Sequence, residues 1–231
     1  MWNPTILLEG LIQYAVLLFS LSVHESAHAW TANRFGDPTA RNLGRISLNP
    51  VSHADLLGTV IFPLIMIFSS IPLIGWAKPV PVNPRNLRRP RRDSIWVAAA
   101  GPLSNLALCG LFFVLLALMV RTSPAARGFL FRYLQGSPGG ATHLLDPMIL
   151  FLLYAVFLNA LLAIFNLIPT PPLDGGAILL GLLPEHWAER LEGVTQYGFL
   201  LLFLLLATGA LNTLFSPFSS AITYALVRIA A

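Results

Sequence analysis

The strongest constraint on this chain is HESAH at residues 24–28, set at the end of the apolar run Ile6–Val23. On a helix, positions i and i+4 lie one above the other on the same face. His24 and His28 can therefore present two imidazole nitrogens to one zinc ion, at about 2.0–2.1 Å each. Glu25 stands one residue on, within reach of a proton on water held at that ion. HExxH is a short pattern, and two partly buried histidines on an ordinary helix would also satisfy it. A water-activating metal site inside a hydrophobic span is unusual, and the rest of the chain has to account for it.

Of the 231 residues, 56% are hydrophobic and 10% charged, against about 25% charged in soluble domains. Several apolar runs approach or exceed the ~20 residues that cross a bilayer. The chain reads as an all-α polytopic membrane protein, with residues 1–231 forming a single domain. The expected architecture is a bundle of about four to five transmembrane helices, with a re-entrant segment and a short β element near the site. Ile6–Val23 lacks the basic n-region of a cleaved signal peptide, and the metal motif follows it directly. Cys109, inside an apolar run, permits neither an internal disulfide nor a thiolate metal site. The net charge of +4 does not point to nucleic acid. Lys78, Arg85, Arg88, Arg89, Arg91 and Arg92 fall in one loop, without interleaved aromatics on which bases could stack. Juxtamembrane arginines are better read as topology signals.

In chain order, the first helix is expected over Thr5–Phe35, stopped by Gly36-Asp37-Pro38. Thr39–Asn49 reads as one or two short strands or extended segments. Leu56–Ile74 is apolar but broken by Gly58, Pro63 and Pro72. Trp76–Asp93 is a basic, proline-rich loop and Ser94–Val120 a long helix. Arg121–Asp146 reads as a polar loop, Pro147–Ile168 as a further span, and Leu179–Glu192 as an interfacial helix. Thr195–Leu214 is the last span, with Ser219–Ala231 a short helical tail.

A catalytic zinc takes three protein ligands and keeps one open position. Asp174 suits the third place. It follows an apolar span, and an unpaired ionised carboxylate there would be costly; the bland alternative is a turn-capping aspartate. Asn159 and Asn166, seven residues apart, share a helix face. Each is a candidate for an oxyanion or substrate contact, or else interhelical glue. His53 is a further candidate contact, or a residue that bonds nearby backbone.

These pieces resemble the site-2 protease family of intramembrane zinc metalloproteases. The matching stretches are HESAHAW (24–30), GDPTARNLGRISLNP (36–50), HADLLGT (53–59), GWAKPVPVNP (75–84), AAGPLSN (99–105) and FNLIPTPPLDGG (165–176). The resemblance implies one Zn2+ per chain on His24, His28 and Asp174, with Glu25 as the base. It also implies cleavage of a transmembrane protein or peptide, often within regulated intramembrane proteolysis. With no run long enough for a PDZ domain, the chain is similar to the compact bacterial branch, placed in the cytoplasmic membrane. One departure is Leu56-Leu57, where relatives often have Asp-Pro. The competing classes are an intramembrane metal transporter and a catalytically silent scaffold. Against a transporter, the acids and histidines gather in one cluster rather than a chain across the membrane, and Glu25 would have no task.

Parity and charge fix the expected topology. If Leu56–Ile74 dips in and returns, Asp174 ends on the same side as His24 and His28. The same arrangement puts Arg34, Arg41, Arg45 and the basic loop inside, leaving Arg121, Arg127 and Arg132 outside. The site then lies nearer the cytoplasmic face. The partners expected are the lipid bilayer and a membrane-embedded substrate; the oligomeric state is left open.

Overall fold

The computed structural model describes residues 4–69, 75–136, 145–193 and 197–230. Helix α1 runs Pro4–Arg34. It ends as the sequence requires, at Gly36, whose φ of +112° only glycine adopts freely and where a Cβ would meet the Asn86 carbonyl. A single helical turn, α2 (Thr39–Asn42), follows, then α3 (Phe62–Ser69), entered through a π-helical turn at Leu56–Ile61. The long α4 is Pro90–Thr122, α5 is Pro124–Leu134 and α6 is Asp146–Asn166. The chain closes with α7 (Asp174–Leu182), α8 (Glu185–Glu192), α9 (Gly198–Ala207) and α10 (Ala210–Ala230).

α4 packs on α1 and α6, α1 packs on α6, and α7 lies against α4. The bundle is inverted relative to a water-soluble one. Its interior buries Ser20, Ser22, His24, His28, Asn105 and Asn159. On the outer face of α4, Leu103, Leu106, Leu111, Val114 and Leu118 are exposed. Leucine and valine on the outside with polar groups within is the arrangement a lipid solvent favours. Ile6–Arg34, Pro90–Thr122 and Asp146–Asn166 are long and apolar enough to cross a membrane. The protein is an all-α integral membrane protein. Away from the polar interior, Leu116, Val120, Leu130, Ile149, Val156 and Leu226 form the main apolar core.

Several elements differ from the sequence-based expectations. Thr39–Asn49 holds a helical turn and irregular chain, and no strand occurs among the described residues. The Asp37 carboxylate accepts from Thr39 N, and the Asn49 side chain accepts from Val51 N; both local bonds favour turns over an extended ladder. Arg121–Asp146 is not wholly loop. Ser123 caps α5, and Ala126, Phe129 and Leu130 turn one face into the bundle; Arg127 and Arg132 on its other face mask that period in the sequence. Leu179–Glu192 divides at Pro184 into the end of α7 and α8. The last span also divides. Gly209, with φ +72°, separates α9 from α10, which runs through the region read as a short tail. Three helices meet the length and hydropathy of a span among the described residues, against the four to five expected. Residues 70–74 and 194–196, within two of the expected elements, lie outside the described residues.

Candidate metal centre

The site is built from α1, α4, α6 and the start of α7. His24 and His28 stand one turn apart on α1, their rings edge to face with centroids 4.7 Å apart. His28 Nδ1 lies 2.6 Å from the Val97 carbonyl on α4, which can only accept. His28 therefore carries its proton on Nδ1, and Nε2 is left as a lone pair.

The tautomer of His24 is fixed by a longer chain of the same logic. On α6, Asn159 Nδ2 donates to the Ala155 carbonyl at 2.8 Å and to Ser20 Oγ at 2.9 Å. That orients Asn159 Oδ1 to accept from Asn105 Nδ2, at 2.8 Å. Asn105 Oδ1 then faces His24 Nδ1 at 2.6 Å and accepts its proton. In the neutral imidazole, His24 Nε2 is thereby also a lone pair.

The two Nε2 atoms lie 3.1 Å apart. Asp174 Oδ2 is 3.2 Å from one and 3.4 Å from the other, and it is buried without a hydrogen-bond partner. With both imidazoles neutral, three lone-pair donors converge, an arrangement that a cation would satisfy. A tetrahedral zinc with bonds of about 2.0–2.1 Å spaces its ligand atoms roughly 3.3–3.4 Å apart. The observed spacing and the His₂Asp donor set fit that ion. Among the described residues, His24, His28 and Asp174 are the one group of histidine and acid ligands close enough to share a metal.

Close backbone approach makes the centre possible. A Cβ on Gly101 of α4 would collide with His28 Nε2, with His24 Cε1 at 2.5 Å and with His24 Nε2 at 2.6 Å. A Cβ on Gly175 would strike the Leu167 and Ile168 carbonyls, and one on Gly176 would lie 2.5 Å from Pro171 N. The glycines after Asp174 thus let the start of α7 tuck under the end of α6 and bring its carboxylate to the histidines.

Glu25 is half-buried, and its Oε2 accepts from Val80 N at 3.1 Å. Val80 lies in the irregular segment 75–83, which is tied down by Lys78 N donating to the His53 carbonyl and by Arg45 donating to the Lys78 carbonyl. The remaining sequence candidates lie apart from the trio. His53 is buried with Nε2 2.8 Å from the Ser47 carbonyl, and Ser26 Oγ donates to that same carbonyl. Asn166 Nδ2 donates back to the Leu162 carbonyl at 2.9 Å. Both amide protons of Asn159 are engaged, so its place is behind His24, through Asn105. Asn105, Gly101 and the backbone of Val97 and Val80 were not singled out as site groups from sequence. A polar residue four positions after a glycine inside an apolar span was the signal available for the first two.

Residues 12–206 match the family model of peptidase family M50. The chain is 38% identical over 201 residues to "Putative zinc metalloprotease YwhC" of Bacillus subtilis, covering 86% of this chain and 82% of that protein. It is 32% identical over 199 residues to "Putative zinc metalloprotease Rip2" of Mycolicibacterium smegmatis, covering 86% of this chain and 67% of the relative. No solved structure matches the chain significantly. With the family match spanning most of the chain and a His₂Asp centre suited to zinc, the chain belongs to peptidase family M50, the site-2 protease family of zinc metalloproteases.

Proposed function

We propose that the chain is an intramembrane zinc endopeptidase that hydrolyses a peptide bond within or near a transmembrane segment of a membrane protein. The observation that carries this reading is the convergent trio of His24, His28 and Asp174, adjoining Glu25 and enclosed by a bundle whose outer face is apolar. When bound, zinc supplies a Lewis acid that polarises a carbonyl and makes water acidic near neutral pH. Asn105 and the Val97 carbonyl hold the imidazole protons on Nδ1, so both Nε2 atoms stay turned inward. Glu25 takes the proton of the attacking water and hands it to the departing amine. Val80 N holds one oxygen of that carboxylate in place.

A helical substrate has its carbonyls tied in i−4 hydrogen bonds and must unwind before attack. Gly, Asn or Pro near the cut would ease that step. Such a reaction suits regulated intramembrane proteolysis. The test uses purified protein and a model transmembrane helix. Glu25→Gln should lower cleavage by at least about 10²-fold with zinc content unchanged; ordinary turnover by Glu25→Gln would overturn the assignment.

The site is placed nearer the cytoplasmic face by reading Leu56–Ile74 as re-entrant. In support, the two ends of the segment come back together. Trp76 N donates to the Gly58 carbonyl at 3.2 Å, and Lys78 N to the His53 carbonyl at 2.9 Å. Between them, Tyr14 on α1 bonds the Thr59 carbonyl, and Ile67 reaches Gly10 farther along the same helix. Single cysteines at Ser52 and Asn86, in a Cys109→Ser background, should resist an impermeant thiol reagent in sealed cells and react after lysis. Reaction of Asn86→Cys in sealed cells would sink the re-entrant reading.

A further inference from the structure

A cavity of about 350 Å³ opens where α1 ends and α4 begins, lined by Phe35, Arg88, Arg89, Arg92, Asp93 and Trp96. Of the lining residues, Phe35 also packs against the small apolar cluster of Ala32, Leu87 and Val97. All three arginines are exposed, and among the described residues none has a carboxylate within ion-pair distance. Neighbouring Arg91 differs, since its Nε donates to the Gly181 carbonyl at 3.0 Å. The one acid in the cavity, Asp93, is buried, and its Oδ2 is taken by Arg89 N at 2.8 Å. Three guanidinium groups with planar forks thus line a cavity that holds a single carboxylate, one oxygen of which accepts a backbone N–H, and this excess of cations is an environment for an oxyanion.

The place of the cavity selects the kind of oxyanion. It sits at the end of α4, one of the helices long enough to span. Arg92, Trp96 and Leu103 follow at intervals of four and seven residues, so they share one face of α4. Trp96 is 50% exposed and Leu103 51%. Down that face a cation is followed by an amphipathic ring and then by aliphatic surface, the sequence of environments a phospholipid presents from headgroup to acyl chain.

We infer that this cavity binds the phosphate headgroup of an anionic phospholipid, with its acyl chain along the Trp96–Leu103 face of α4. The site is separate from the metal centre and does not depend on proteolysis.

The full chain in detergent, offered equal phosphatidylglycerol and phosphatidylcholine of the same acyl chains, should retain the anionic lipid preferentially in native mass spectrometry. Arg88→Gln/Arg92→Gln should weaken that retention by roughly 10- to 30-fold, at about a factor of five per lost cation. Arg121→Gln/Arg127→Gln, near the other end of α4, should leave it unchanged. Should the first variant fail to fold, the unsubstituted protein still decides the matter, because its preference must fall as salt rises. Excess inorganic phosphate should leave the lipid adduct in place. Equal retention of the two lipids, loss of the preference in both variants, a salt-independent preference, or full displacement by inorganic phosphate would each overturn the site.

Discussion

Glu9 and Asp174 both sit among apolar helices, and their partners differ in kind. Roughly 22 Å of α1 separates Glu9 from His24. Glu9 Oε2 accepts from the Tyr154 hydroxyl at 2.7 Å, and the Tyr133 hydroxyl lies 2.6 Å from that of Tyr154. Protons answer its charge. Asp174 Oδ2 faces two imidazole nitrogens whose protons are already committed elsewhere. An acid surrounded by donors ties helices together, whereas an acid surrounded by lone pairs makes a cation site. The residue types alone would not distinguish the two; the hydrogen-bond chains behind them do.

The largest expected effect breaks the comparison directly. Asp174→Ala should strip zinc from the purified protein and abolish cleavage, because the remaining pair of histidines is one ligand short. Glu9→Gln should leave zinc content intact and lower stability by about 1.5–3 kcal/mol, the range for a hydrogen bond to a charged group. Metal analysis and unfolding in detergent read the two outcomes. Equal zinc loss in both variants would mean that the two acids are not distinct in role.

A single added carbon should separate two positions on α4. Gly101→Ala drives a methyl group into the space between the histidines and α4, so zinc binding should be lost. Gly110→Ala, on the same helix, meets nothing within 4 Å. It should be neutral or stabilise by up to ~1 kcal/mol through helix propensity. Parallel zinc titrations of the two variants make the test; undiminished binding in Gly101→Ala would show that α4 does not close the site.

Smaller effects should follow from the groups behind His24. Asn105→Ala should weaken zinc binding by about 10–100-fold, as outer-shell losses do. Asn159 reaches His24 only through Asn105, so Asn105→Ala/Asn159→Ala should cost little more than Asn105→Ala alone. Additive losses would indicate an independent role for Asn159. Tyr154→Phe, the matching change beside Glu9, should not alter zinc affinity.

How much of this was legible in the sequence depends on the range of the interaction. HExxH declares itself through i, i+4 geometry, and Asp174 through the cost of a lone acid after an apolar span. Helices α1, α4 and α6 are readable because hydropathy and length suffice in lipid. The Asn159–Asn105–His24 chain crosses three helices, and sequence spacing carries no information about it. The asparagine was visible as a buried polar residue, but not the direction of its amide. Val80 N on Glu25 is a backbone group and leaves no mark on residue identity. The loop after α1 was misread as strand because Leu43, Ile46 and Leu48 are interspersed among its polar residues, while all three side chains are exposed.

Asp37 offers the finest test of the comparison, since it lies outside the spans and its charge is answered wholly by donors. It is 0% exposed. Thr39 N and Oγ1 and Asn86 Nδ2 donate to Oδ1, and Asn83 N donates to Oδ2 at 2.7 Å. Burial pushes its pKa up, but the hydrogen bonds from Asn86, Thr39 and Asn83 outweigh it and hold the group below the ordinary 3.8. With the folded pKa below the unfolded one, the stabilisation is present above about 3.8 and fades as pH falls through the folded value. The effect should be local, confined to the junction of residues 37–39 with 83–86. Amide-exchange protection of Thr39 and Asn83, corrected for intrinsic rates, should be level from neutral pH down to about 4 and drop below that. Asp37→Asn should lower protection of both amides at neutral pH and remove the acid-dependent step, with zinc content unchanged. A step that survives in Asp37→Asn would assign it to another acid, and loss of zinc would show that this loop and the metal centre are coupled.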